Sequence, residues 1–166
     1  MISISIPPSG KICSKISFAS TLYLHPILDI LLLSIPCAMR DDLRLGLQEA
    51  LVNAVSHGNG LDPGKTVCVQ FSATRNTLLW VISDQGFMDV SQFKINNIDC
   101  NDFPPQDSEN GRGLCILAKV FDKVCWDCNT GQLTLYKKIS KPSANFRTSR
   151  FFLSGLDHVL DMAVAR

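Results

Sequence analysis

The sequence predicts a two-layer α/β sandwich of the α+β kind, with helices laid over one mixed, mostly antiparallel sheet. Three observations predict it. Leu43, Leu47, Ala50, Leu51, Ala54 and Val55 recur at helical spacing and form one long apolar stripe. Two β-rich runs follow it, joined by a short link, and a second such pair closes the periodic part of the chain. The chain has 166 residues, 46% hydrophobic and 19% charged, which is enough for one buried core and excludes a disordered polypeptide.

The elements follow in order. Residues 1–14 read as an N-terminal extension. Lys15 to Leu22, "KISFASTL", places Ile16 and Phe18 on one face, as a strand does. "HPILDILLLS" reads as a short buried helix with Pro26 in its first turn. No Lys or Arg occurs from Ile16 to Met39, but His25, Pro26, Asp29 and Pro36 interrupt that region. Its apolar run falls well short of the ~20 residues of a spanning helix, so no membrane association is expected. The first charge is Lys11 and no small-x-small site follows the apolar run, which argues against a signal peptide.

"RDDLRLGLQEALVNAVSHGNG" is the strongest helix. Asp41 and Asp42 suit the positive end of its macrodipole, and Gly58 and Gly60 can supply a left-handed stop. "TVCVQFSA" (Thr66 to Ala73) and "NTLLWVIS" (Asn76 to Ser83) form a predicted hairpin. Asp84 to Asn110, with Pro104-Pro105, has no clear period. A stretch of that length without secondary structure in a compact domain is usually a functional lid.

"GLCILAKVFDK" places Leu114, Leu117, Val120 and Phe121 at helical spacing, and "VCWDCNTGQLTLYKKI" reads as a hairpin around Asn129-Thr130-Gly131. The domain then spans 15–139. Residues 140–166 form a tail rich in Lys, Ser, Pro and Arg. Phe152, Leu156, Val159 and Ala163 there predict an amphipathic helix that docks on the domain, binds a partner or stays loose, docking being the commonest outcome for such a stripe.

Net charge is +1, which gives no electrostatic reason to expect nucleic acid or an acidic membrane as a partner. The seven cysteines are irregularly spaced and several lie in apolar runs, as reduced core thiols do. "CWDC", Cys125 to Cys128, has the spacing of a metal knuckle or a redox pair. A zinc site needs two more ligands, and no second C-x-x-C or H-x-H pair follows. Reduced thiols point to the cytoplasm.

Three segments can carry chemistry. "EALVNAVSHGN" (Glu49 to Asn59) puts a carboxylate, Glu49, one helical turn from an amide, Asn53, with His57 a further turn on. An amide oxygen suits Mg²⁺, and a neighbouring carboxylate can act as a general base. His57 is either a nucleotide contact or a cap on the last carbonyls of the helix. "DQG" (Asp84 to Gly86) ends a buried strand. "GRGL" (Gly111 to Leu114) leads into a helix, whose positive end favours phosphate. Arg112 either adds a charge to that phosphate site or points to solvent.

In this order and on these elements, the three segments resemble the N box and the two glycine boxes of the GHKL ATPase superfamily, which includes gyrase and the histidine kinases. Within it the chain is most similar to the anti-sigma-factor serine kinases, over about Lys15 to Ile139. The resemblance implies a nucleotide bound between the N-box helix and the lid. Glu49 would be catalytic and Asn53 would hold Mg²⁺. Asp84 would accept the adenine amino group, and Gly86 would let the backbone pass close to the base. Gly111, Arg112, Gly113 and Leu114 would face the phosphates, and His57 and Thr134 would complete the ATP site. It further implies a cytoplasmic homodimer that phosphorylates a serine of an anti-anti-sigma (STAS-type) protein, sequesters a sigma factor and makes no direct contact with nucleic acid.

Two departures qualify the expectation. Met88 stands where the first glycine box usually has its second Gly, and "SEN" (Ser108 to Asn110) stands where an Arg usually precedes the second. Nucleotide binding is therefore expected to be better preserved than phosphoryl transfer. The alternative function is a nucleotide-binding partner-switching module that only sequesters its partner.

Overall fold

A computed structural model describes residues 2–5, 12–33, 35–74, 76–86, 109–127 and 130–139. Most of the expected lid with Met88, Pro104, Pro105 and Ser108, the second cysteine of "CWDC" (Cys128), Asn129 and the predicted tail helix lie outside the described residues.

Six strands form one sheet: β1 (Ile2–Ser5), β2 (Ile12–Ala19), β3 (Thr66–Ala73), β4 (Thr77–Ser83), β5 (Lys123–Asp127) and β6 (Gln132–Lys138). Their order is β1-β2-β3-β4-β6-β5, and every neighbouring pair is antiparallel. The helices are α1 (His25–Leu32), α2 (Cys37–Asn53) and α3 (Glu109–Val120), and one π turn, Ala54–Gly58, prolongs α2. The architecture is the predicted two-layer α+β sandwich.

Alternation decides which side chains meet the helices. Phe71, Trp80, Leu135 and Val124 sit opposite one another across four strands and are all buried. Ile16, Val69, Ile82 and Leu133 make a second such row. The Trp80 ring packs edge-on against Phe121, with centroids 5.7 Å apart, so the end of α3 lies over this face. A Cβ on Gly46 would stand 2.7 Å from Phe121 Cε2 and 2.8 Å from Val120 Cγ1, so α2 and α3 approach closely there. Further along, Gly113 of α3 faces Glu49 and Asn53 of α2, so the two helices run antiparallel.

α1 is tied to α2 by side chains. The Arg40 guanidinium donates to the carbonyls of Ile35 (2.7 Å) and Leu33 (3.3 Å), and Arg44 pairs with Asp29, which also meets His25 Nδ1 at 3.1 Å. Burial raises the Asp29 pKa, but the hydrogen bond and charge of Arg44, followed by those of His25, outweigh it and hold the carboxyl below its ordinary value.

Several expectations shift. β1 pairs with β2, and β2 begins at Ile12, so the segment read as an extension supplies one strand and part of another. α2 starts at Cys37, so Asp41 and Asp42 lie beyond the first turn, which holds no acidic residue. The left-handed stop falls on Gly60 (φ 64°) and Leu61 (φ 60°), not on Gly58. α3 starts at Glu109, earlier than its apolar spacing indicated.

Candidate nucleotide site

The site grows from the end of α2. Leu43, Gly46, Leu47, Ala50 and Leu51 bury one side of that helix, which leaves Glu49 and Asn53 half-buried beside α3. A Cβ added to Gly113 would stand 3.3 Å from Glu49 Oε2, 3.5 Å from Asn53 Nδ2 and 3.8 Å from Asn53 Oδ1. Both polar side chains therefore converge on the space that the missing Cβ leaves. Neither makes a hydrogen bond to a described residue, and Arg112, the next residue back on α3, is exposed. Leu114 packs partly buried against the core and anchors this end of the helix.

Gly111 lies in the first turn of α3, where amides have no partner within the helix. Gly113 lies beyond that turn, where helical bonding uses the amide. What it contributes to this corner is space.

The second corner lies one turn further along. The α-helical ladder gives way to a π turn, with Asn59 N–H donating to Ala54 O (2.8 Å) and Leu61 N–H to Val55 O (2.9 Å). Such turns recur at functional sites. The turn carries Gly58 under the Asp84 carboxyl so closely that a Cβ on Gly58 would overlap it. A Cβ on Gly86 would overlap the Gly58 carbonyl. Both glycines are needed for a backbone crossing. The resemblance implies that Gly86 lets the backbone approach a base; what the structure shows is its close approach to the end of α2.

Asp84 Oδ1 accepts the Gly86 N–H at 2.9 Å. Burial raises the carboxyl above its ordinary range, and the Gly86 amide and the Lys65 charge only partly offset that.

Asn59, 1% exposed, joins these pieces. Its Oδ1 accepts the Gln85 N–H (2.8 Å) and its Nδ2 donates to Thr66 O (3.2 Å), while Gln85 Oε1 accepts the Thr66 N–H (2.6 Å). Sequence reasoning did not single out Asn59, Gln85 or Gly58 as site-forming. Asn-Gly after a helix reads as a turn, and the partners that bury Asn59 come from two other segments.

The structure thus brings Glu49, Asn53 and Gly113 together, and Asp84 with Gly86, on adjoining turns of one helix end. His57 is exposed, with no hydrogen bond to a described residue. Thr134 joins neither group. It pairs with Val81 and Cys125, opposite in phase to buried Leu133 and Leu135, and so lies on the sheet face away from the helices.

A helix-borne carboxylate and amide thus face a glycine-bearing helix, beside a half-buried Asp at a strand end. Residues 31–137 match the family model of the histidine kinase-like ATPase domain. The chain belongs to that family. It is also similar to two proteins named serine-protein kinase RsbW. With that of Bacillus velezensis it shares 30% identity over 96 residues, covering 55% of this chain and 59% of the other. With that of Bacillus subtilis it shares 29% over 89 residues, covering 51% and 54%. The chain thus spans between half and three-fifths of the curated relatives it matches. Among the described residues, no helix of this histidine kinase-like ATPase domain is long and apolar enough to cross a membrane.

Proposed function

We propose that the chain is an ATP-dependent protein-serine/threonine kinase that phosphorylates an anti-anti-sigma (STAS-type) protein and acts as an anti-sigma regulatory factor. In this reading it works as a cytoplasmic homodimer on protein partners, regulates transcription by sequestering a sigma factor and does not touch nucleic acid. The observation that carries the reading is the convergence of Glu49 and Asn53 on the space in front of Gly113.

The donor chemistry fits Mg-ATP. Asn53 offers a neutral oxygen of the kind Mg²⁺ accepts, and the first turn of α3, including Gly111, directs amides toward phosphate. Asp84 uses one carboxylate oxygen on Gly86, leaving Oδ2 for an amino donor such as that of adenine. Bound Mg-ATP would supply the transferred phosphoryl group, with the metal neutralising the charge that develops on it. Glu49 would take the proton of the attacking serine hydroxyl, as a general base one turn from the metal ligand. Arg112 would add charge to the phosphates by reorienting its exposed side chain.

The exposure of Arg112 also favours a second reading, a nucleotide-binding module that sequesters its partner without efficient transfer. Radiolabelled Mg-ATP and a candidate STAS-type protein decide between them. Label on a serine of the partner supports the kinase. Nucleotide binding with no label transferred supports the module. No binding of Mg-ATP overturns both.

A further inference from the structure

The Asp84 corner contains more bonding than a carboxylate needs to stay in place. We propose that Asn59 is a positioning residue for base recognition, holding the Asp84-Gln85-Gly86 turn so that one defined oxygen of Asp84 faces the base. The proposal rests on the reading of Asp84 as the base acceptor given above.

The geometry closes on itself. Gly86 has no Cβ to strike the Gly58 carbonyl, Gly58 has none to strike the Asp84 carboxyl, and the Gly86 amide binds Asp84 Oδ1. Those contacts hold the two ends of the turn. Asn59 takes the middle, accepting the Gln85 N–H at 2.8 Å. Its own position is set from the far side by the bond from Nδ2 to Thr66 O, 3.2 Å, and by its backbone bond to Ala54 O, 2.8 Å. Gln85 returns the connection through Thr66 N–H at 2.6 Å, so the turn, the start of β3 and the end of α2 form one unit.

Asn59 has a donor and an acceptor at opposite edges of one amide, and this site uses both. A serine or alanine cannot span it. An aspartate keeps the acceptor but sets an oxygen against the Thr66 carbonyl. Buried at 1% exposure, the amide is well shielded from competing water. It reaches the ligand only through Asp84, which makes it a positioning residue and not a catalytic one.

A merely structural Asn59 would affect every ligand alike, whereas a positioning Asn59 affects the base alone. The test compares equilibrium binding of Mg-ATP, Mg-ITP and Mg-tripolyphosphate to the full chain. ITP lacks the 6-amino donor, and tripolyphosphate lacks the base. Wild type should favour ATP over ITP by roughly ten- to a hundredfold, the span of one charge-assisted hydrogen bond. In Asn59→Ala that preference should fall to within about threefold, with tripolyphosphate binding unchanged.

Gln85→Ala, at an exposed side chain, serves as the second variant should Asn59→Ala fail to fold, and its preference should drop severalfold. A folded variant that keeps the wild-type preference overturns the proposal, as does equal weakening of all three ligands. If wild type does not distinguish ATP from ITP, the base-acceptor reading of Asp84 fails and the proposal falls with it.

Discussion

At the Asp84 corner hydrogen bonds already hold the turn, whereas at the Glu49–Asn53 corner the two side chains make none to a described residue. Asn59 and Gln85 interlock with Thr66, Asp84 holds Gly86, and two backbones cross where neither tolerates a side chain. One turn away, Glu49 and Asn53 converge on Gly113 with no hydrogen bond to a described residue. On the proposed reading, the difference means that one end of the site is built by the fold and the other is left for a ligand to complete. A preformed acceptor lowers the ordering cost of recognising a base, while groups that meet developing charge gain from staying uncommitted until that charge arrives.

The largest expected effect sharpens this division. Glu49→Gln should lower phosphoryl transfer by about 10²–10⁴-fold and leave nucleotide affinity nearly unchanged, as measured by single-turnover kinetics beside titration. A parallel loss of affinity would make Glu49 a binding group and blur the comparison.

Glycines at the two corners should behave in opposite ways. Gly86→Ala forces a methyl onto the Gly58 carbonyl and should cost about 3 kcal/mol of stability in denaturant unfolding, the upper part of the overpacking range. Gly113→Ala meets Glu49 Oε2 at 3.3 Å, a side-chain atom that can yield. It sits inside a helix, where alanine is favoured by roughly 0.5–1 kcal/mol, so the variant should fold at least as stably as wild type while binding Mg-ATP more weakly. A Gly113→Ala protein with normal affinity would show that the gap is not ligand space.

Asp84→Asn should reduce ATP affinity by about 1.5–3 kcal/mol, the value of a charge-assisted bond. It should also leave the nucleotide-free protein slightly more stable at neutral pH, because it removes a charge that burial disfavours. The smallest effect is the matching pH dependence. The pKa of Asp84 in the folded chain is raised above 3.8, so the folded state binds the extra proton. The stability this supplies is complete below the unfolded value and is lost as pH rises through the folded one. ATP affinity should run the other way, falling as acid protonates the carboxyl. Both trends should vanish in Asp84→Asn when unfolding and titration are followed across pH; their persistence would assign them to another group.

Much of this was legible because the signals were local. The α2 stripe, the β3–β4 and β5–β6 hairpins and the Glu49–Asn53 spacing depend on residues within a turn or two, and the fold places them as expected. β1 was missed because four residues of "ISIS" are too few to establish a period, and the strand exists only through its pairing with β2. The π turn at Ala54–Gly58 has no residue signature that helical periodicity can read. The burial of Asn59 depends on Thr66 and Gln85, both distant in sequence. Thr134 was legible and misread: Leu133 and Leu135 already occupy the inner positions of β6, so the residue between them faces away.

The division between the corners is tested most directly by amide hydrogen exchange on the full chain with and without Mg-ATP. The amides of Asn59, Leu61, Thr66 and Gln85 should be protected without nucleotide and change little when it binds. Those of the first turn of α3, Glu109 to Gly111, should be weakly protected and slow markedly on addition of Mg-ATP. Equal slowing at both places, or a first turn of α3 that is already as protected as the Asp84 corner, would contradict a site with one end built by the fold and the other completed by its ligand.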